Sequence, residues 1–518
     1  MPFRHSIFWN SPHSSLLIDH GSISNMPLPD LIQIVPRDKP VQAEITVPGS
    51  KSITNRALIL AALANGETTL QGALWSEDTQ VMAECLQRLG FRVEVRSDPA
   101  EFCNRTITVN GLGGKIPNAG TVEEPLELFV GNAGTAARFL TALVCLGHGV
   151  YRLHGVPRMH ERPQAALFQA LRQLGYHIDS PNDRLSAVIH GTGPRPTQCT
   201  VSIEESSQFA SALMLCAKAG SWHIEVVGEN AEESPYVAMT SKLVGVFPPT
   251  GGIFQIEADA SSGSYFLAAG SHELLKAHRA NVREGNESSF VFSAQYQPTV
   301  LVVRWPTSGW QIDQQFVFWV FELTRASTSF DEAFGNATER EVKSFAEALV
   351  RDNPLAISSP YQTEEGPEIP WPRTISRQRD LGDSIMTAIV LAPLAEEKWT
   401  FTDLGRLRVQ ECERVVALRN ELSKCGAKVI EVGDTLTVFP SKVHGAEIET
   451  YNDHRLAMGF AILGLKVPGI KIKNPACVKK TFPNFFQKLA ASPPSGLGAT
   501  ILDATTGKRL SVEELFAE

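Results

Sequence analysis

A punctuation pattern that recurs along the chain limits what it can fold into. Gly66-Glu-Thr-Thr-Leu-Gln-Gly72 reads as a turn, a short strand and a second turn, and Gly149-Val-Tyr-Arg-Leu-His-Gly155 repeats it. Gly220–Gly228, Glu397–Asp403 and Pro468–Asn474 carry the same cue. Each follows an Ala/Leu-rich stretch of helical composition, such as Phe139–Leu146, Ala210–Ala219, Thr387–Leu394 or Leu456–Leu465. The third and fourth copies stand about two periods apart, so one copy lies unrecognised between Ala268 and Arg379. The pattern implies six strand–helix units of about 75 residues in two groups of three. A chain of 518 residues with 43% apolar content has enough material for at least two cores.

Three stretches fall outside this rhythm. Ser271–Arg379 holds an aromatic cluster (Phe316–Phe321), a charged helix-like run (Glu332–Arg351) and a proline-rich segment (Pro354–Pro372). Its composition predicts an inserted loop with a helix, and only Arg304–Asp313 keeps a trace of the repeat. From Pro493 onward the chain reads as a loop and a short amphipathic tail. Met1–Asn25 mixes His, Ser and isolated aromatics without a period, which predicts a disordered or mis-called extension ahead of Met26. The net charge of −9 argues against a nucleic-acid partner. Eight cysteines without a CxxC pair read as buried thiols of a reducing, cytoplasmic compartment. No run reaches the roughly 18 apolar residues of a membrane span, and the first 25 residues lack a signal-peptide pattern.

The chemistry-bearing motifs share one kind of position, a loop leading into a helix. Ala43–Val47 alternates like a strand, Pro48-Gly49 turns, and Ser50-Lys51-Ser52-Ile53-Thr54-Asn55-Arg56 opens an apolar helix. Two cations and several hydroxyls at unpaired helix N–H groups make an anion site. It is no nucleotide P-loop, because Ser50 separates Gly49 from Lys51. Gly131-Asn132-Ala-Gly134-Thr-Ala-Ala-Arg138 offers a close backbone approach, with Asn132 and Thr135 adding polar contacts. Arg158 and Arg162 flank a loop ahead of Pro163, a first helical position, and Ser206-Ser207-Gln208 opens another helix. In the second half stand Asp380–Asp383 and Arg408–Arg414, whose Gln410 and Arg414 have the i,i+4 spacing of one helical face. Asn452–Arg455 and Lys479-Lys480 complete the set. Singly, each has a plain alternative: a serine or Asp383 as an N-cap, His454 as a structural histidine. Jointly, Lys51, Arg56, Arg162, Arg414, Arg455 and Lys480 around Asp383 and Glu411 describe a site for two anionic substrates with acid–base chemistry between them. No metal-ligand spacing, GxSxG elbow or GxGxxG fingerprint is present.

In order, PGSKSxTNRAL, GNAGTAxR, the ERP loop, SSQF, EADASSGSYFLAA, GDxxMT, RVxExxR, YNDHRxAM and KTFP resemble the 5-enolpyruvylshikimate-3-phosphate synthase family. The resemblance covers about Ile32–Ala269 and Asp380–Leu489. It implies an α/β (α+β) fold of two similar domains, each of three βαβαββ units with inward-facing helices, an inside-out α/β barrel with the active site in the interdomain cleft. Residues 31–47 with 258–495 would form one domain and 48–257 the other, leaving 1–30 as an extension and 496–518 as a tail. The implied reaction transfers the enolpyruvyl group of phosphoenolpyruvate to shikimate 3-phosphate, in a monomer with no metal or organic cofactor.

The resemblance also implies roles. Ser52 and Arg56 would hold the shikimate carboxylate, and Ser206, Ser207 and Gln208 its phosphate side, with Gln410 nearby. Lys51 would touch both substrates, and Gln208 phosphoenolpyruvate as well. Asn132, Gly134, Arg162, Arg414, Arg455 and Lys480 would hold phosphoenolpyruvate. Asp383 would take the proton of the 5-hydroxyl, and Glu411 would help to protonate the methylene. Lys51 and Asp383 are therefore expected to face each other across the cleft. Gln410 stands where the family often has lysine and Glu233 where it has a phosphate-binding serine. With the atypical 271–379 segment, these departures leave open a relative that binds ligand without turnover. The sister enzyme acting on UDP-N-acetylglucosamine is disfavoured by GNAGTA, SSQF and NDHR.

Overall fold

A computed structural model describes residues 28–37, 39, 41–228, 234–270, 300–324 and 373–517. Among them are six sheets. In one, Leu126–Phe129 and His148–His154 run parallel, joined across the helix Gly134–Val144; Ala187–Thr192 and then His177–Asp179 add antiparallel strands. Three more sheets repeat this parallel–antiparallel–antiparallel order. They are Gly252–Gln255, Asn65–Leu74, Asn104–Leu112, Val93–Ser97; Thr374–Ser376, Trp399–Thr402, Thr435–Val438, Val429–Val432; and Glu447–Ile448, Lys471–Lys473, Leu31–Ile34, Ile501–Asp503. The last two keep the parallel pair alone: Thr197–Ser202 with Trp222–Val227, and Ala43–Ile45 with Val300–Val302.

The helices between the parallel strands point inward. Gly134–Val144, Ile385–Leu391 and His454–Gly464 are buried along their whole length, which an apolar sequence on every face demands. Lys51–Leu63, Gly134–Val144 and Gln208–Gly220 pack on one another, as do Ile385–Leu391 and His454–Gly464. The buried apolar side chains form two clusters, one from residues 53–256 and one from 28–47 with 260–517. The chain passes between them twice, and the two passages lie side by side. Ser50 N donates to Glu257 O at 2.8 Å and Asp259 N to Pro48 O at 2.8 Å. Gly49 bridges Ala258, and a Cβ there would sit 2.0 Å from the Gly72 carbonyl oxygen, so no larger residue fits.

The structure departs from the sequence reading in several places. The 496–518 tail supplies the strand Ile501–Asp503 and buries Leu497, Ala499, Ile501, Leu510 and Leu515. Three residues are too few to show a period, and their partner strand, Leu31–Ile34, is remote in sequence. The aromatic cluster at 316–321 belongs to a core helix, Phe316–Thr324, where Trp319 packs edge-on to Trp399 at 6.4 Å. The unrecognised repeat thus has described parts in Val300–Val302 and this helix. Residues 271–299, 325–372, Glu233 and the extension before Leu28 lie outside the described residues. All eight cysteines are free, and all but Cys412 are fully buried. Among the described residues no helix is long and apolar enough to cross a membrane.

Candidate active site

The site is built where helices begin. Lys51 is the first residue of the helix Lys51–Leu63, after Ser50, whose hydroxyl makes no capping bond. Lys51 Nζ pairs with Asp78 Oδ2 at 3.0 Å. One turn on, Arg56 is buried, and its donors meet only neutral oxygens: Thr240 Oγ1 at 2.7 Å, Ser211 Oγ at 3.0 Å and Ser52 O at 2.9 Å. Its guanidinium lies over the Phe139 ring at 5.2 Å. Burial lowers its pKa to about 10. Ser211 belongs to the helix Gln208–Gly220, which Ser207 opens; Ser206 Oγ accepts from Gln208 N at 3.3 Å, and the buried Gln208 Oε1 has no partner.

Gly134 opens the next helix and has a specific reason to be glycine. A Cβ there would lie 2.5 Å from Arg138 Nη1 and 2.6 Å from Arg162 Nη2. Two guanidiniums therefore converge on one helix start, an arrangement that an anion would stabilise. Arg138 Nη2 donates to Pro163 O at 2.8 Å and Arg162 Nη1 to Asn132 O at 3.1 Å. Arg138 Nε and Nη1 and Arg162 Nε are buried without partners. Burial lowers both pKa values, and Arg162 lowers that of Arg138 further. Sequence reasoning missed Arg138, although it ends the GNAGTAAR motif one turn after Gly134, a cation in an otherwise apolar helix. Pro163 is not a first helical position: Arg158 lies in a short helix, Pro157–Glu161, and the next helix begins at Ala165.

Across from these cations the basic side chains meet carboxylates. Asp383 precedes the helix Ile385–Leu391, but its carboxylate pairs with Arg377 Nη2 at 2.8 Å and Arg455 Nη2 at 2.9 Å rather than capping the helix. Arg455 is the second residue of His454–Gly464, whose cap Asp453 accepts its N–H at 2.8 Å. Arg414 binds Asp453 Oδ2 at 2.6 Å and Glu411 Oε2 at 2.7 Å. Lys480 reaches Glu411 Oε1 at 3.2 Å and Asn132 O at 3.2 Å, so it spans both clusters. Burial alone would raise both carboxyl pKa values. At Asp383 the charges of Arg455, Arg377 and Arg414 outweigh it, and at Glu411 those of Arg414, Lys480 and Arg162 do, holding both well below the usual carboxylate range. Burial keeps the His454 imidazole neutral.

The Arg408–Arg414 stretch is not one helical face. A 3-10 turn covers Gly405–Val409, and the helix begins only at Arg414, with Glu413 as its cap. Gln410 still meets Arg414, by accepting a hydrogen bond from its guanidinium at Oε1, while its carbonyl takes Arg158 Nη2 at 3.1 Å. Between the clusters lies a cleft lined by Lys51, Ser52, Tyr236, Ser261, Asp313 and Arg455 among others. Lys51 thus shares a cleft with the partner of Asp383.

The family model of EPSP synthase (3-phosphoshikimate 1-carboxyvinyltransferase) matches residues 35–248 and 373–489. A 3-phosphoshikimate 1-carboxyvinyltransferase of Trichormus variabilis is 34% identical over 463 residues, covering 89% of this chain and 98% of the relative. One of Opitutus terrae is 35% identical over 484 residues, covering 90% and 98%. The chloroplastic enzyme of Solanum lycopersicum is 34% identical, covering 87% and 82%. Among solved structures, EPSP synthase from Acinetobacter baumannii superposes with a TM-score of 0.60 at 18% identity, over 91% of this chain and 99% of that one. The enolpyruvyl transferase NikO from Streptomyces tendae gives 0.56 at 15% identity, over 94% and 100%. With its helix-start cations, its paired carboxylates and relatives matched over nearly their whole length, the chain belongs to the EPSP synthase (3-phosphoshikimate 1-carboxyvinyltransferase) family.

Proposed function

We propose that this chain transfers the 1-carboxyvinyl group of phosphoenolpyruvate to the 5-hydroxyl of shikimate 3-phosphate and releases inorganic phosphate. The observation that carries this reading is the convergence of buried, carboxylate-free Arg138 and Arg162 on the start of the Gly134 helix, opposite ionised Asp383 and Glu411. Arg138, Arg162, Lys480, Arg455 and Arg414, with Asn132 and Gly134, receive phosphoenolpyruvate. Arg56, Ser52, Ser206, Ser207 and Gln208 receive shikimate 3-phosphate, Gln410 lies on that side, and Lys51 touches both. Asp383 takes the 5-hydroxyl proton as the oxygen attacks C2, while Glu411 delivers a proton to the methylene carbon. The tetrahedral intermediate then returns a methyl proton to Glu411 and expels the phosphate, which leaves with the proton held by Asp383, so protons and charge balance.

The charge pattern supplies the timing. The surrounding cations hold the Asp383 and Glu411 carboxyls well below the usual carboxylate range, which favours their ionised forms. Substrate phosphate and carboxylate groups compete for Arg455, Lys480 and Arg162, which loosens that hold and raises both pKa values toward working range. Residues 48–257 and 31–47 with 258–517 act as the two closing domains. We read the chain as a cytoplasmic monomer without metal or organic cofactor. The alternative of a ligand-binding relative without turnover finds no support in the comparisons. Phosphate release from purified protein tests the proposal: release that requires both substrates is expected, and binding of both without release would overturn it.

A further inference from the structure

Asp313 stands in the stretch that kept only a trace of the repeat, and the reaction scheme leaves it unused. It is 4% exposed, and no lysine, arginine or histidine among the described residues forms an ion pair with it. A buried carboxylate without a cation is costly unless other donors satisfy it. Here Oδ2 accepts Ser261 Oγ at 2.5 Å, while Oδ1 accepts Gly382 N at 2.7 Å, Ser384 N at 3.1 Å and Ser384 Oγ at 2.5 Å. Three of these donors flank Asp383 immediately on both sides. A Cβ on Gly382 would lie 3.0 Å from Asp313 Oδ2, so the loop is drawn tightly against the carboxylate. Two residues earlier, Gln311 grips the second passage between the clusters: its Oε1 accepts Ala260 N at 3.1 Å, and its Nε2 donates to Ala258 O at 2.8 Å and Glu257 Oε2 at 3.3 Å.

We propose that Asp313 is a positioning residue that fixes the backbone on either side of Asp383 and fastens it to the 257–261 passage, so that the base is aimed by the strap on which the domains turn. This rests on the reading of Asp383 as the general base. Asp313 touches no reacting atom; it acts through the Gly382–Ser384 loop, where a displacement of about 1 Å is enough to cost up to about 10²-fold in rate. Asp313→Asn keeps the size but puts an amide N–H₂ among four donors, which the carboxylate alone can satisfy.

The test is steady-state phosphate release by the full chain carrying Asp313→Asn, Asp383→Asn or both. We expect Asp313→Asn to lower kcat by about 10- to 100-fold with KM for both substrates changed less than about threefold. Added to Asp383→Asn it should lower the residual rate by less than about threefold, because the two act as one unit. A kcat within about twofold of the parent, a rise in both KM values, or a full further loss in the Asp383→Asn background would overturn the proposal. If Asp313→Asn fails to fold, Ser384→Ala removes one donor and should show a smaller fall in kcat with the same non-additivity; additivity there overturns it equally. An undiminished rate in Asp383→Asn alone would instead remove the general-base reading on which the proposal rests.

Discussion

The two sides of the cleft handle buried charge in opposite ways. On the side built from residues 53–256, Arg56, Arg138 and Arg162 face hydroxyls, carbonyls and an aromatic ring, and burial lowers their pKa values. On the other side Arg414 and Arg455 are as deeply buried, yet Asp453 and Glu411 for the first, and Asp383 for the second, outweigh burial and raise theirs. Apart from the Lys51–Asp78 pair, one side holds arginines that meet no carboxylate, and the other is internally neutralised. An unpaired buried cation costs folding free energy that a bound anion returns, whereas a paired one fixes the geometry of its carboxylate partner. The first arrangement suits binding and the second suits proton transfer.

Removing Asp383 breaks this contrast most sharply, because it takes the carboxylate away from Arg377 and Arg455 as well. Asp383→Ala should lower kcat by about 10²-fold or more. KM for phosphoenolpyruvate should stay level or fall, which steady-state kinetics will separate from the loss in kcat. Arg138→Ala attacks the other side. It deletes charge-assisted donors worth about 1.5–3 kcal/mol, so KM for phosphoenolpyruvate should rise roughly tenfold to a hundredfold. A rise confined to shikimate 3-phosphate would show that the two arginines at Gly134 serve the wrong ligand.

Acid sharpens the comparison. Because Asp383 and Glu411 have depressed pKa values in the folded protein, their stabilisation is complete above the ordinary carboxyl range of about 4–4.5 and drains away as pH falls below it. The melting temperature of Glu411→Gln should therefore trail the parent at neutral pH, with the gap narrowing below about pH 4. A gap independent of pH would mean that the Glu411 pairs contribute no linkage. The smallest expected effect is on the side of Arg138 and Arg162. Inorganic phosphate at about ten times its dissociation constant should stabilise the parent by about 1.4 kcal/mol, a small upward shift in melting temperature that Arg138→Ala diminishes.

Much of this was legible in the chain because the site uses helix starts. Each start is announced locally by a turn, a small or polar residue and an apolar run, as at Pro48–Arg56 and Asn452–Arg455. The helices themselves are legible as Ala/Leu-rich runs, whereas their inward facing follows only from the family resemblance. Where the signal was tertiary, the reading failed. Arg377 and Asp313 reach the site only through contacts with Asp383 and its flanks, and nothing near either residue announces this. Strand Ile501–Asp503 went unseen because its pairing partner is at the other end of the chain. Arg408–Arg414 has helical spacing, but the 3-10 turn and the Glu413 cap break it in the middle.

The placement of Leu31–Ile34 between Lys471–Lys473 and Ile501–Asp503 has a consequence for the order of biogenesis. Residues 53–256 form a core from an uninterrupted stretch and have all their material soon after leaving the ribosome. The strand made before them must wait, with its edges unpaired, until nearly the whole chain has been translated. At about 5–20 residues per second that delay lasts tens of seconds or more. The half that forms the carboxylate side of the cleft is thus begun first and closed last, and the nascent chain carries an exposed strand throughout.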